Sequence, residues 1–215
     1  YTLWHTLSLH DALPISVLPE THAAVQEKAQ QGELYLSLYT ARPSMPPAGI
    51  SSNGDGAYSP EAEQALELVP WKKAYLSAYG KVYWLSQHCE FTSEELLKPS
   101  PVQALSAIAY HFVDDEITAL MWAQEAYRAY LDGNSQESRI PSHLPSSFTL
   151  HVFEDSPNGL RGGVQAVEIL RFMDFDVDLH LWGISENPTK QAALQAQGGQ
   201  VFMDVNDAIR TALLT

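Results

Sequence analysis

Hydrophobic residues alternate with polar ones, or form short apolar runs, in five segments typical of β-strands. In residues 33–40, three leucines occupy every second position between tyrosines and a serine. Residues 148–153 and 177–182 are rich in Val, Leu and aromatic side chains, and shorter runs occupy residues 81–85 and 201–203. Alternation and short apolar runs bounded by turn residues predict a strand in each segment.

Segments with the composition and end signals of helices separate these strands. The predicted helices occupy residues 19–31, 59–75, 102–112, 114–131, 159–172, 188–198 and 205–214. Thr92 and Glu95 have the spacing of a capping box, which predicts one more helix start. Residues 41–58 and 132–147 are polar, contain proline and are predicted loops. Strands that alternate with helices indicate an α/β fold with a doubly wound, Rossmann-like parallel sheet.

Composition limits the classes of protein and partner. The chain of 215 residues is 45% apolar, which suffices for the core of one α/β domain. Its formal charge of -14 argues against nucleic acid and anionic membranes as partners, because phosphate contacts need clustered Lys and Arg. A single cysteine, Cys89, fits a reducing compartment, and no apolar run is long enough for a transmembrane helix. We therefore expect a cytoplasmic protein, whose oligomeric state the sequence leaves open.

The first 16 residues differ from the rest in their expected origin. Residues 6–15, Thr-Leu-Ser-Leu-His-Asp-Ala-Leu-Pro-Ile, match the in-frame translation of a common sequencing adaptor. We interpret residues 1–16 as a non-biological, adaptor-derived segment and residues 17–215 as an α/β core fragment. The natural chain is then expected to begin upstream of Val17.

The most specific chemical signal follows the strand predicted at residues 148–153. Glu154 and Asp155 come at its end, in the sequence Phe-Glu-Asp-Ser-Pro-Asn-Gly. The carboxyl ends of parallel strands are where α/β proteins bind phosphates and other ligands, and Mg²⁺ takes carboxylate oxygens as ligands. The two acids therefore predict a Mg²⁺ site. The alternative is that they only favour the start of the next helix through its dipole.

Two further polar residues lie where the chain is predicted to turn. Thr40 ends the strand predicted at residues 33–40, and Lys98 precedes a proline-broken helix start, Lys-Pro-Ser-Pro. Each is a candidate site residue. The alternatives are that Thr40 caps the strand end and that Lys98 is a solvated surface lysine.

Taken in chain order, Thr40, Lys98 and the Glu154-Asp155 pair resemble the motifs of the haloacid dehalogenase (HAD)-like hydrolase superfamily. Residues 181–204 resemble the last two strands of that family. The resemblance implies that Thr40 donates a hydrogen bond to the substrate phosphate and that Lys98 neutralises it. It also implies that Glu154 and Asp155 hold Mg²⁺. The expected activity is that of a phosphatase acting on a small phosphorylated metabolite.

One defining motif of the family is missing. Residues 17–40 contain no Asp-x-Asp pair, whose first acid is the nucleophile in the family and whose second is the general acid and base. Residues 174–176 have the right spacing but precede a predicted strand, and residues 53–56 form a turn with one acid. We therefore expect an inactive fragment whose sheet lacks its first, central strand. The alternative is a non-catalytic HAD-like protein that binds a phosphorylated ligand or a partner.

Overall fold

The strands and helices alternate along the chain as the sequence predicts. The computed structural model describes residues 5–9 (backbone only), 17–52, 54–68, 71, 74–134 and 144–213. The strands are β1 (His5–Leu9), β2 (Leu34–Tyr39), β3 (Tyr75–Ser77), β4 (Ser147–Glu154), β5 (Asp176–Ile184) and β6 (Gln200–Phe202). The helices are α1 (Pro19–Gln30), α2 (Glu61–Glu67), α3 (Tyr79–Ser86), α4 (Ser93–Leu96), α5 (Val102–Val113), α6 (Glu116–Leu131), α7 (Pro157–Phe172), α8 (Pro188–Gln195) and α9 (Val205–Leu213).

The six strands form one sheet in the order β3-β2-β1-β4-β5-β6, and every neighbouring pair is parallel. This is the strand order of the doubly wound Rossmann-like sheet. The α/β prediction is therefore confirmed. The order of strands reverses between β1 and β4, and in open α/β sheets a ligand binds in the crevice beyond the carboxyl ends of the strands at such a point.

The central position of the sheet is occupied by β1. Leu7 is level with Leu36 of β2 on one side and with His151 of β4 on the other. The expectation of a sheet without its central strand is therefore wrong. The sequence His-Thr-Leu-Ser-Leu has the alternation of a strand, which is independent of its origin. The adaptor origin of residues 1–16 stays a prediction.

Helices cover both faces of the sheet, because side chains alternate between the faces along each strand. In β4, Phe148, Leu150 and Val152 belong to a core that also contains residues of α3 to α8. Phe153 belongs to the core of the other face, with residues of α1, α2 and α9. Among the described residues, no helix is long and apolar enough to cross a membrane.

Two predicted elements around β3 are wrong. The helix predicted at residues 59–75 ends at Glu67, and the chain continues into the short strand Tyr75–Ser77. The strand predicted at residues 81–85 lies instead in α3. An apolar run of this length has no distinguishing period, and in the fold Val82 and Leu85, three positions apart, are both fully buried.

Helix boundaries follow capping chemistry where it is present. Thr92 and Glu95 form the predicted capping box of α4. The helix predicted at residues 114–131 begins two residues later, because Asp114 adopts a left-handed conformation and Asp115 caps α6. The polar segment at residues 132–147 lies partly outside the described residues, which resume at Leu144.

His111 of α5 packs against β2 and is partly buried. Its Nε2 lies 2.7 Å from the Ser37 hydroxyl oxygen, and its ring centroid lies 4.9 Å from that of Tyr35. Burial lowers the pKa of His111 from 6.5 to about 4, because the charged imidazolium loses its hydration. The folded protein therefore holds this side chain neutral under ordinary conditions.

Deletion of residues 1–16 tests how much the sheet depends on β1. The deletion removes both ladders of the central strand and exposes the edges of β2 and β4, which are templates for pairing with other chains. We expect the 17–215 chain to aggregate or to lose cooperative unfolding, whereas the full chain keeps a cooperative transition at the same concentration. Size-exclusion chromatography with urea unfolding measures both properties. Equal behaviour of the two chains would contradict the central role of β1.

The lowered pKa of His111 predicts a loss of stability in mild acid. The unfolded chain protonates this histidine below about pH 6.5, whereas the folded chain does so only near pH 4. The stability that comes from neutral His111 is therefore complete above pH 6.5 and is lost as the pH falls toward 4, by about 2 kcal/mol at pH 5.

Urea unfolding at pH 7.5 and pH 5 checks this effect. Between pH 7.5 and pH 5, the free energy of unfolding should fall by about 2 kcal/mol less in His111→Gln than in the unsubstituted chain. His88→Gln, which replaces an exposed histidine, should show the full drop. A full drop in His111→Gln as well would refute the assignment.

Candidate functional site

The predicted site residues lie at the carboxyl edge of the sheet, where the strand order reverses. β2 ends at Tyr39, so that Thr40 follows it directly, and β4 ends at Glu154. Between them, Leu9 at the end of β1 is level with Leu38 and Phe153. Thr40 and Glu154 therefore flank the carboxyl end of the central strand, as expected for parallel strands.

Lys98 and Glu154 form a buried ion pair at this edge. The Lys98 Nζ donates to the Glu154 Oε1 over 2.6 Å, and the exposed fractions of the two side chains are 9% and 0%. The alternative that Lys98 is a solvated surface lysine is therefore wrong. Two charges that have lost their hydration stabilise each other here, and removal of either leaves an uncompensated charge.

The aromatic ring of Tyr39 packs against the Lys98 ammonium group. The Nζ lies 3.9 Å from the centre of the Tyr39 ring, a cation–π distance. The Tyr39 hydroxyl donates to the carbonyl oxygen of Gly159 over 2.8 Å, which ties the ring to the first turn of α7. Sequence reasoning missed Tyr39. Its position directly before Thr40, at the end of a predicted strand, was the available signal.

The first turn of α7 closes around the Glu154 carboxylate. Ser156 caps this helix by accepting from the Gly159 amide over 3.1 Å, and its hydroxyl lies 3.5 Å from the Glu154 Oε2. A Cβ on Gly159 would lie 2.0 Å from the Glu154 carboxyl carbon. Glycine is therefore required at this position for the carboxylate to lie against the helix. Within the Phe-Glu-Asp-Ser-Pro-Asn-Gly sequence, Ser156 and Gly159 therefore enclose the Glu154 carboxylate.

Thr40 is held by backbone and side-chain contacts at the end of β2. Its amide donates to the Ser77 carbonyl, its carbonyl accepts from the Gln103 side chain over 2.8 Å, and its hydroxyl accepts from the Arg42 amide over 3.1 Å. The hydroxyl therefore does cap the turn, as the alternative interpretation proposed. A hydroxyl can accept and donate at the same time, so this contact is compatible with donation to a ligand.

Asp155 occupies a more open position than Glu154. Its side chain is 28% exposed, and its Oδ2 lies 3.4 Å from the Nζ of Lys190 on α8. The two adjacent acids are thus in different surroundings, one enclosed with Lys98 and the other at the rim of the site.

As a metal centre, this arrangement fits Mg²⁺ only in part. Asp155 offers oxygen ligands at the rim, as Mg²⁺ requires, whereas the enclosed Glu154 carboxylate is engaged by Lys98. In the part of the chain that the structure describes, no three His, Cys, Asp or Glu side chains are grouped so that they could hold a metal ion. Any Mg²⁺ would therefore depend on Asp155 and on ligands beyond this group of acids.

No protein-family model matches this chain, and no curated protein is detectably similar to it. The resemblance to HAD-like hydrolases therefore stays a hypothesis, carried by the motif residues.

The buried ion pair predicts a large and specific cost of substitution. Lys98→Met leaves the Glu154 carboxylate buried without its counterion and should lower the free energy of unfolding by about 3–5 kcal/mol. Combining Lys98→Met with Glu154→Gln should cost clearly less than the sum of the two single changes, because the charges are removed together. Urea unfolding of the four proteins measures this coupling.

A matched control is available in Lys190→Met. It removes a lysine that contacts the neighbouring acid but is 53% exposed, so a change within about 0.5 kcal/mol is expected. If Lys98→Met were as mild as Lys190→Met, the buried pair would not be an important stabilising contact.

Proposed function

We propose that this chain is the carboxyl-terminal part of a Mg²⁺-dependent HAD-like hydrolase that acts on a small phosphorylated metabolite. The observation that carries the proposal is the Lys98–Glu154 pair at the switch point, beside the carboxyl end of β1. Thr40 and Asp155 lie at the same edge. Further support comes from the strand order, because the resemblance implies a first strand placed between the second and the fourth.

The chemistry begins with binding of an anion by Lys98 and Thr40. A phosphate monoester carries charge on several oxygens, and an ammonium group in a dry site stabilises that charge more strongly than it does in water. Glu154 accepts one of the three N–H donors of Lys98. In this proposal Glu154 orients the lysine, and the Thr40 hydroxyl donates to a second phosphate oxygen.

Asp155 is the residue that would hold Mg²⁺. The ion supplies charge neutralisation at the phosphate when it is bound. Glu154, which the sequence analysis also assigned to the metal, has its carboxylate enclosed against Gly159 and Lys98. We therefore assign the metal contact of this chain to Asp155 and the orientation of Lys98 to Glu154.

The proposed hydrolase activity needs a nucleophile at the end of the first strand. In this chain β1 is followed by His10, Asp11 and Ala12, which include one acid and not an Asp-x-Asp pair. We therefore propose that the chain of 215 residues is inactive. Replacement of residues 1–16 by the natural first strand would restore hydrolysis.

A non-catalytic, ligand-binding role is the second candidate. The observation that favours it is the closed ion pair itself, because an internal counterion satisfies Lys98 in the unliganded protein. Such a protein would use Thr40 and Lys98 to bind a phosphorylated ligand or partner without transferring the phosphoryl group.

Restoring the missing acids separates the two candidates. His10→Asp with Ala12→Asp places an Asp-x-Asp sequence directly after β1. With Mg²⁺, this variant should release phosphate from p-nitrophenyl phosphate, whereas the unsubstituted chain should release none. Adding Lys98→Met or Asp155→Asn to the variant should remove the activity, and adding Asp207→Asn on the distant helix α9 should not.

Binding of inorganic phosphate provides the second measurement. Both candidates predict that phosphate raises the unfolding temperature of the unsubstituted chain, and that Thr40→Val weakens this effect. A folded His10→Asp/Ala12→Asp variant that binds phosphate but hydrolyses nothing would support the binding protein. Absence of phosphate binding in every variant would overturn both candidates.

A further inference from the structure

A second concave site lies at the opposite, amino edge of the sheet. It is a cleft of about 800 Å³ between α1, the start of β2 and the end of α5. Its described lining includes Leu34, Tyr35, Tyr110, His111 and Asp114. This volume is within the range of small-molecule sites in proteins, about 300–1,000 Å³.

Aromatic rings form one wall of the cleft and are held in place by their neighbours. Tyr110 stacks on Tyr75 with ring centroids 4.2 Å apart and planes inclined by 14°. Tyr35 lies against His111 and Phe112, at 4.9 Å and 5.6 Å. Rings fixed in this way offer a preformed apolar surface, so a ligand need not order them on binding.

The charge of the described lining is negative. Asp114 is the one acidic residue among the lining residues that the structure describes, and no Lys or Arg is among them. Burial and the nearby Asp114 carboxylate both raise the pKa of Tyr110. His111 is neutral for the reason given above. Among the described lining residues, an anion would face the exposed Asp114 carboxylate and no cationic side chain.

We propose that this cleft binds an organic cation that carries an aromatic group, such as a protonated arylalkylamine. The Asp114 carboxylate would pair with the ammonium group beside the Tyr110 hydroxyl, and the tyrosine rings would contact the apolar part and stabilise the cation through their faces. The proposal is independent of the proposed hydrolase activity, because it uses none of the residues of the carboxyl edge.

The two sites are well separated along β2. Leu34 lines the cleft and Thr40 lies six residues further along, a distance of about 20 Å at the rise of a strand. A ligand in the cleft therefore does not contact Lys98 or Glu154.

Three probes of similar shape and different charge test the proposal. Titration of the full chain with phenethylammonium, 2-phenylethanol and phenylacetate, followed by NMR or calorimetry, should give saturable binding that is tightest for the ammonium compound. Asp114→Asn should weaken the ammonium compound about tenfold and leave the alcohol unchanged. Tyr110→Leu should weaken both.

The chain provides a matched control for the aspartate substitution. Asp114 and Asp174 both adopt the left-handed conformation, with φ of 49° and 67°, and asparagine tolerates that region equally well. Asp174 lies beyond the end of α7 and is exposed. Asp174→Asn should therefore leave all three affinities unchanged while it reports any general effect of removing a charge.

Two results would overturn the proposal. The first is no saturable binding of phenethylammonium at 10 mM to the folded chain. The second is binding that Asp114→Asn and Asp174→Asn change equally, or binding in which phenylacetate equals or exceeds the ammonium compound.

Discussion

The carboxyl edge of the sheet depends on one interaction, the ion pair between Lys98 and Glu154. Each of these groups would be unstable in its dry position without the other, so the loop before α5 and the end of β4 are fixed relative to each other. The surrounding residues follow from this constraint. Tyr39 supplies an aromatic face to the cation, and Gly159 leaves space for the carboxylate.

The ion pair also separates the roles of two adjacent acids. Glu154 is enclosed and paired with Lys98, whereas Asp155 lies at the rim with a half-buried side chain and a longer contact to Lys190. Two neighbours in sequence can differ in this way because successive residues at a strand end point in different directions. The sequence analysis assigned both to a metal, since adjacency alone does not distinguish a counterion from a ligand.

Sequence patterns predicted the class of fold and those elements that carry a clear period with signals at both ends, but the helix predicted at residues 59–75, which lacks an end signal, was too long. The helix at residues 159–172 and the strand at residues 148–153 were found almost to the residue, because each carries its own pattern and end signals. The strand predicted at residues 81–85 was wrong because five residues are too few to show a period. The contacts of Tyr39 with Lys98 and Gly159 join residues far apart in the chain, and no local pattern encodes them.

The pairing of β1 shows what the centre of the sheet requires of the chain. Its two ladders are made by backbone atoms, and these are the same in every residue except proline. Parallel strands inside such a sheet are covered on both faces, so the central strand also needs side chains that can be buried. The described ladders end at Leu9, so the pairing itself does not specify which side chains follow that residue.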